Sequence, residues 1–230
     1  MKIAGLQKVS LVDYPGCVSA VVFVQGCNLR CPYCQNPDLV VPESGFECSE
    51  KEVFDYLTAR RKLIEGVVIT GGEPTIYEDL PDFIKHAKDI GIKVKLDTNG
   101  SNPEQLEYLL HENLLDYIAI DVKSSFNKYY LLSDAENVEW SVAESINLTM
   151  SSGVPYEFRT TCVPGIVDAE DFHSIGDTVK GAKKYYLQQF RPQTTYDKEY
   201  QNIKPYTDRE LQKFKLILEE YVEEVKIRGA

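Results

Sequence analysis

Val18-Ser-Ala-Val-Val-Phe-Val24 runs directly into Gln25-Gly-Cys27-Asn-Leu-Arg-Cys31-Pro-Tyr-Cys34, and the rest of the chain is read outward from this stretch. The apolar, β-branched run reads as a buried strand. The loop behind it sets Cys27, Cys31 and Cys34 with gaps of three and two residues. A structural zinc site wants four ligands, commonly as two separated pairs. A cubane iron–sulfur cluster takes a thiolate on each of four irons, so three thiols leave one iron open to a substrate or cofactor. The competing readings are weaker. A zinc knuckle lacks its fourth ligand, because His86, His111 and His173 are scattered without ligand spacing. A disulfide framework does not suit a chain this long without a secretion signal.

Composition narrows the classes further. The 230 residues can bury one sizeable core, and no low-complexity linker divides them, so residues 1–230 are expected to form a single domain. No apolar stretch approaches the roughly twenty residues that span a bilayer. The N-terminus, Met1-Lys-Ile-Ala-Gly-Leu-Gln7, lacks the apolar heart of a signal peptide. A cytoplasmic protein, with neither membrane nor nucleic acid as partner, is expected. The net charge of −11 fits that expectation, since nucleic-acid binding needs clustered Lys and Arg facing phosphates.

Further strand-like runs recur at Gly66–Thr70, Ile92–Asp97, Tyr117–Asp121, Tyr156–Val163 and Tyr185–Phe190. Helical segments lie between them. Ser49-Glu-Lys-Glu52 and Thr207-Asp-Arg-Glu210 are capping boxes, the second opening a helix through Leu211, Phe214, Leu218 and Val222. Leu80, Phe83, Ile84, Ala87 and Ile90 form a stripe ending at Gly91, and Asn102-Pro103 reads as an N-cap with proline at the first helical position. Helices are also expected over 139–152 and 169–180. Six strand–helix units predict an α/β fold: an open (β/α)6 three-quarter barrel with outer helices, two units short of a closed one. A flat doubly wound sheet is the alternative.

Strand phase then selects the interior. Ile92, Val94 and Leu96 share one face of their strand, and Lys93, Lys95 and Asp97 share the other. Ile118 and Ile120 oppose Tyr117, Ala119 and Asp121. Glu157, Arg159 and Thr161 alternate with Tyr156, Phe158, Thr160 and Cys162. The aliphatic faces suit packing under helices, so the polar faces should line the barrel. Asp97 and Asp121 then stand at C-terminal strand ends, where barrels of this kind place their chemistry, beside the cysteine loop and Gly71-Gly72-Glu73-Pro74. The two glycines let backbone approach a ligand closely, and Glu73 can accept a bond from an ammonium group, although Gly-Gly is often only a tight turn. Asp97, Asp121 and Lys123 in a low-dielectric interior must pair with one another or with a ligand. Cys17, Cys48 and Cys162 form no second array and read as buried or incidental thiols.

The three-cysteine loop resembles the CxxxCxxC loop of the radical S-adenosylmethionine (SAM) enzymes. That resemblance implies a three-quarter barrel and a 4Fe–4S cluster on Cys27, Cys31 and Cys34, whose open iron chelates the methionine part of SAM. Gly71, Gly72 and Glu73 resemble the motif that binds the methionyl amino group. Tyr33, followed by Gln35, matches the aromatic position near the adenine, with plain loop packing as the equal alternative. Leu96-Asp97-Thr98-Asn99-Gly100 and Asp121-Val-Lys123 resemble, more narrowly, motifs of the glycyl-radical-enzyme activating family. There the lysine contacts the cofactor, and counterparts of Asp97, Thr98 and Asp121 frame a monovalent cation; Asn99 and Arg159 complete the implied set. Cys27, Cys31, Cys34 and Lys123 would be the catalytic residues of a radical SAM oxidoreductase.

Ser10-Leu-Val-Asp-Tyr-Pro-Gly16 and Gln189-Phe-Arg-Pro192 resemble the longer activators of anaerobic ribonucleotide reductase. The implied partners are that glycyl-radical enzyme and a flavodoxin- or ferredoxin-type reductant. Thr194 stands where activators of pyruvate formate-lyase carry a histidine. Activation of that lyase or of another glycyl-radical enzyme, radical chemistry on a small molecule, and a cluster that only carries electrons are the alternatives.

Overall fold

The computed structural model describes residues 1–41, 48–133, 135 and 137–229. Eight strands form one sheet in sequence order: β1 (Ile3–Ser10), β2 (Ser19–Val24), β3 (Gly66–Gly71), β4 (Lys93–Thr98), β5 (Tyr117–Asp121), β6 (Tyr156–Cys162), β7 (Lys184–Gln189) and β8 (Glu224–Arg228). The pair β1–β2 is antiparallel and every later pair is parallel. The sheet stays open, with β1 and β8 as its edges. The six expected strands are β2 to β7. Two strands are additional, and Val222, expected in the last helix, lies in the turn that leads into β8.

The helices are α1 (Pro37–Val40), α2 (Glu50–Arg60), α3 (Leu80–Asp89), α4 (Pro103–His111), α5 (Val138–Ser151), α6 (Ala169–Thr178) and α7 (Asp208–Leu218). Both expected capping boxes form, on Ser49 with Glu52 and on Thr207 with Glu210. The Asn102 side chain caps α4 by accepting from the Gln105 N–H at 3.2 Å. Helix faces such as Leu80, Phe83, Ile84, Leu106 and Leu109 are buried against the aliphatic strand face of Val22, Val67, Ile69, Leu96, Ile118 and Ile120. Each such side chain contributes about 2 kcal/mol by leaving water.

The other sheet face turns inward. At its N-terminal end Tyr14, Val21, Val68 and Tyr117 form a separate small apolar cluster that closes the floor of the barrel. Tyr14 comes from the β1–β2 connection, and its ring centroid lies 5.9 Å from that of Tyr117. Gly66 is required beneath it: a Cβ there would meet Tyr14 Cδ1 at 2.8 Å. A doubly wound sheet would cover this inner face with helices. Here it carries a floor and, above it, a cavity.

Candidate active site

The C-terminal strand ends hold that cavity. Its wall includes Cys27, Cys31 and Cys34, Tyr33 and Gln35, Gly71, Gly72 and Glu73, Asp97, Thr98 and Asn99, and Asp121, Lys123 and Arg159. Every site residue selected from the sequence therefore faces one space. Thr70, Thr161, Gln188, Asn36, Leu29 and Val40 line it as well and were not selected. Strand phase could have supplied Thr161, which shares the inward face of β6 with Arg159. The contributions of Leu29 and Val40 are set by tertiary folding and leave no local signal.

The cysteine loop is held by backbone from distant segments. Arg30 N–H donates to Leu132 O at 2.7 Å, Tyr196 N–H to Cys34 O at 3.0 Å, and Asp197 N–H to Pro32 O at 2.8 Å. Gln35 Nε2 donates to Arg191 O at 2.7 Å, so the Gln189–Pro192 segment buttresses this loop. The Leu29 N–H reaches Cys27 Sγ at 3.4 Å, and Asn99 Nδ2 lies 4.0 Å from the same sulfur. Burial raises the Cys27 thiol, the Leu29 bond opposing it. Burial pushes Cys31 up to about 12 against the pull of Lys123.

The glycine turn is stitched to the start of this loop. Gly72 N–H donates to Val24 O at 2.9 Å, and Glu73 N–H donates to Gly26 O at 2.8 Å. A Cβ on Gly72 would sit 1.9 Å from Gly26 O. Gly71 adopts φ +118°, and a Cβ there would meet the Val24 backbone at 2.5 Å. What the glycines approach closely is thus the neighbouring strand end, in addition to the cavity they line. Glu73 also differs from expectation. It is buried, and its oxygens accept from Thr75 N–H (3.0 Å), Thr75 Oγ1 (2.6 Å), Thr98 Oγ1 (2.7 Å) and Asn99 N–H (2.7 Å). Burial raises its carboxyl even against these four donors. In this chain Glu73 clamps the end of β4 to the glycine turn.

Deeper in the cavity the charges are paired. Asp121 and Arg159 are register partners on β5 and β6. Arg159 Nε donates to Asp121 Oδ1 at 2.7 Å, and its Nη1 donates to Asp97 Oδ2 at 3.0 Å. Lys123 Nζ holds Asp121 Oδ2 at 3.0 Å, and Lys95 Nζ holds Asp97 Oδ1 at 2.5 Å. Burial alone would raise both aspartates; Arg159 first, with Lys123 at Asp121 and Lys95 at Asp97, overcomes it and holds both below the ordinary carboxylate range. Below this layer Arg228 grips Glu157 with two bonds, at 2.7 and 2.9 Å, while stacking on the Tyr186 ring. Glu157 also accepts from Tyr117 Oη at 3.1 Å, which joins the charged layer to the floor.

Among the described residues no three His, Cys, Asp or Glu side chains are arranged to hold one metal ion. A cubane asks for something different, one thiolate on each of three irons. Three thiols on one wall, with N–H groups directed at a sulfur and no carboxylate bonded to them, fit that requirement. Tyr33 is buried at the cavity with its hydroxyl unpartnered among the described residues, a polar atom that a bound ligand can satisfy. The monovalent cation implied at Asp97, Thr98 and Asp121 does not fit in the same way. Each oxygen of the two carboxylates already holds a protein nitrogen, and the Thr98 hydroxyl is spent on Glu73.

The model of the Radical SAM superfamily matches residues 21–178. A Methanocaldococcus jannaschii protein, provisionally named a glycyl-radical enzyme activating enzyme, is 38% identical over 98% of this chain and 95% of its own length. The pyruvate formate-lyase-activating enzyme of Clostridium pasteurianum is 28% identical over 79% of this chain and 77% of its own. Among solved structures, Streptococcus suis SuiB bound to S-adenosylmethionine superposes with a TM-score of 0.67 at 17% identity. That match covers 91% of this chain and half of SuiB, and it speaks to the fold alone. The chain belongs to the radical SAM superfamily and, within it, to the glycyl-radical-enzyme activating family. It is therefore an enzyme of that class, and its family implies a 4Fe–4S cluster and SAM as cofactors.

Proposed function

We propose that residues 1–230 form one domain that installs a glycyl radical on a partner enzyme, with Cys27, Cys31 and Cys34 as cluster ligands. The observation that carries this reading is the convergence of three thiols, a glycine turn and the Asp97–Arg159–Asp121–Lys123 network on one cavity. Cys27, Cys31 and Cys34 would hold the 4Fe–4S cluster, which when bound and reduced would supply the one electron that breaks the carbon–sulfur bond of SAM into methionine and a 5′-deoxyadenosyl group able to take a hydrogen atom from a glycine Cα of the partner.

The chain's own residues position and shield. Gly71 and Gly72 present backbone to the methionyl end of the cofactor, and Glu73 fixes that turn from behind. Lys123, on the cavity wall and bonded to Asp121, would contact the cofactor. Tyr33 and Gln35 flank the adenosyl end. The Arg159 network keeps both aspartates ionised beside the positive sulfonium, a preorganised field that water could not hold in place. The proposed partner is the anaerobic ribonucleotide reductase, from the resemblance of Asp13-Tyr-Pro-Gly16 and Gln189–Pro192. Pyruvate formate-lyase is the second reading, favoured by the C. pasteurianum relative. A flavodoxin- or ferredoxin-type donor in the cytoplasm completes the proposal.

The test mixes reconstituted, reduced protein and SAM with each glycyl-radical enzyme and records the glycyl signal by electron paramagnetic resonance. Signal on the reductase supports the full reading, and signal on the lyase alone reassigns the partner. Cleavage of SAM with radical on neither enzyme rejects both partners and leaves another glycyl-radical enzyme or a small-molecule substrate.

A further inference from the structure

The frame made by Asp97 and Asp121 has four carboxylate oxygens, and each is held by a nitrogen of the chain. Lys95 Nζ and Arg159 Nη1 take the two oxygens of Asp97; Arg159 Nε and Lys123 Nζ take those of Asp121. Thr98, the third group of the implied cation site, donates to Glu73 and accepts the Gly100 N–H at 3.1 Å. A hard monovalent ion needs free oxygen ligands and local negative charge. With Glu157, 4.0 Å from Arg159, and Arg228, which grips it, counted in, four fixed positive charges stand against three negative ones.

Lys95 is the member of this set with no other task. Arg159 and Lys123 line the cavity, whereas Lys95 lies beneath it on β4, 1% exposed. Its ammonium meets Asp97 and lies 5.8 Å from the Tyr117 ring centroid. A buried lysine is rare unless paired, and an ammonium is a compact point charge that can stand where an alkali ion would. Tethered to β4, it is present at any salt concentration and forfeits no freedom on capture.

We propose that the Lys95 ammonium is the resident monovalent cation of this site, so that SAM binds here without an inorganic one. The inference rests on the cofactor reading above. An ion in such a frame would neutralise part of the aspartate charge and tie β4 to β5. Lys95 does the first at Asp97, from its own strand, and Arg159 on β6 does the second by bonding both aspartates.

The experiment titrates SAM into the cluster-loaded protein at constant ionic strength in chloride salts of tetramethylammonium, sodium or potassium, reading the change in the cluster's electron paramagnetic resonance spectrum. The dissociation constants should agree within about twofold. Tightening of about tenfold or more by potassium over tetramethylammonium would overturn the proposal. In Lys95→Ala, affinity in tetramethylammonium should fall about tenfold and potassium should restore most of it, while Lys95→Arg should stay indifferent to the ion. Before SAM is added, potassium should raise the melting temperature of Lys95→Ala and leave the wild type unmoved. A Lys95→Ala protein that matches the wild type in every salt also sinks the idea. If Lys95→Ala cannot be purified, the wild-type salt series and Lys95→Arg still decide. Absence of SAM binding in all salts rejects the cofactor reading instead, and potassium-dependent melting of the wild type would then still count against Lys95.

Discussion

The two ends of the barrel interior belong to one sheet and obey opposite rules. At the floor, Val21, Val68, Tyr14 and Tyr117 close on one another and leave no cavity between them. At the rim, one pleat beyond Val68 and two beyond Tyr117, stand Thr70 and Asp121, which with Asp97 and Arg159 surround space. Lys95 and Glu157, each 1% exposed, form the layer between. The difference teaches that period-two alternation assigns a side chain to the interior without saying whether the interior is packed there. Position along the strand decides that. Substitutions at the rim should therefore damage cofactor chemistry more than stability, and substitutions at the floor the reverse.

The largest effect is expected from Cys31→Ala. Iron content after anaerobic reconstitution should drop from about four per chain to near zero. The same change at Cys48, whose thiol lies outside the cavity, should leave iron unchanged; equal loss there would show that the ligand set is wrong.

Gly72→Ala comes next, because it strikes rim and fold together. Its Cβ would collide with the Gly26 carbonyl, and about 3 kcal/mol of stability should disappear with the geometry of the cysteine loop. Urea unfolding of the metal-free variant measures this. A loss below about 1 kcal/mol would mean that the two strand ends separate easily.

Asp121→Asn should cost about 2 kcal/mol, by leaving Arg159 and Lys123 short of a counter-charge at a site still partly open to the cavity. It should also change the acid limb of the stability profile. The folded-state pKa values of Asp97 and Asp121 are depressed, so their stabilisation is complete above the ordinary carboxylate value near 4 and is lost as pH falls below it. Wild-type stability should fall steeply there, and the variant more gently. Parallel acid limbs for the two proteins would remove the aspartates from that role.

The smallest effect is assigned to the floor. Tyr117→Phe removes the bond to Glu157, which Arg228 still holds with two others. About 1 kcal/mol should be lost, with SAM cleavage unchanged in a product assay for 5′-deoxyadenosine. A fall in cleavage comparable to that of Asp121→Asn would erase the distinction between floor and rim.

Much of this was legible in the sequence. The six inner strands, the two capping boxes and the inward phase of Lys95, Asp97, Glu157 and Arg159 follow from spacing alone. Strand β1 was missed because Ile3–Ser10 is an edge strand in which only the two ends are buried, so no clean alternation marks it. Glu224–Arg228 was missed because a five-residue alternation directly after a helix reads as that helix's tail. Without β8, nothing predicted that Arg228 would meet Glu157. The Gly71–Gly72 pair was seen, but its target, the Gly26 carbonyl, depends on strand register that composition does not carry. Tyr14 and Gln189–Pro192 were noticed only through resemblance. Their places, one plugging the floor and one bracing the cysteine loop, have plain packing reasons.

Among the described residues the unclosed sheet leaves two rows of backbone hydrogen-bonding groups without a neighbouring strand, a hazard for any protein that must not polymerise. At one border, Cys48 covers part of β1 through a bridge to Ile3. At the other, Glu224 and Lys226 form an ion pair on β8, and a second sheet docking there would have to strip water from it, while Arg228 turns inward to Glu157. A closed barrel has no such border to defend. The open border of this sheet is thus also a frontier that needs guarding, and the ion pair on β8 stands guard over it.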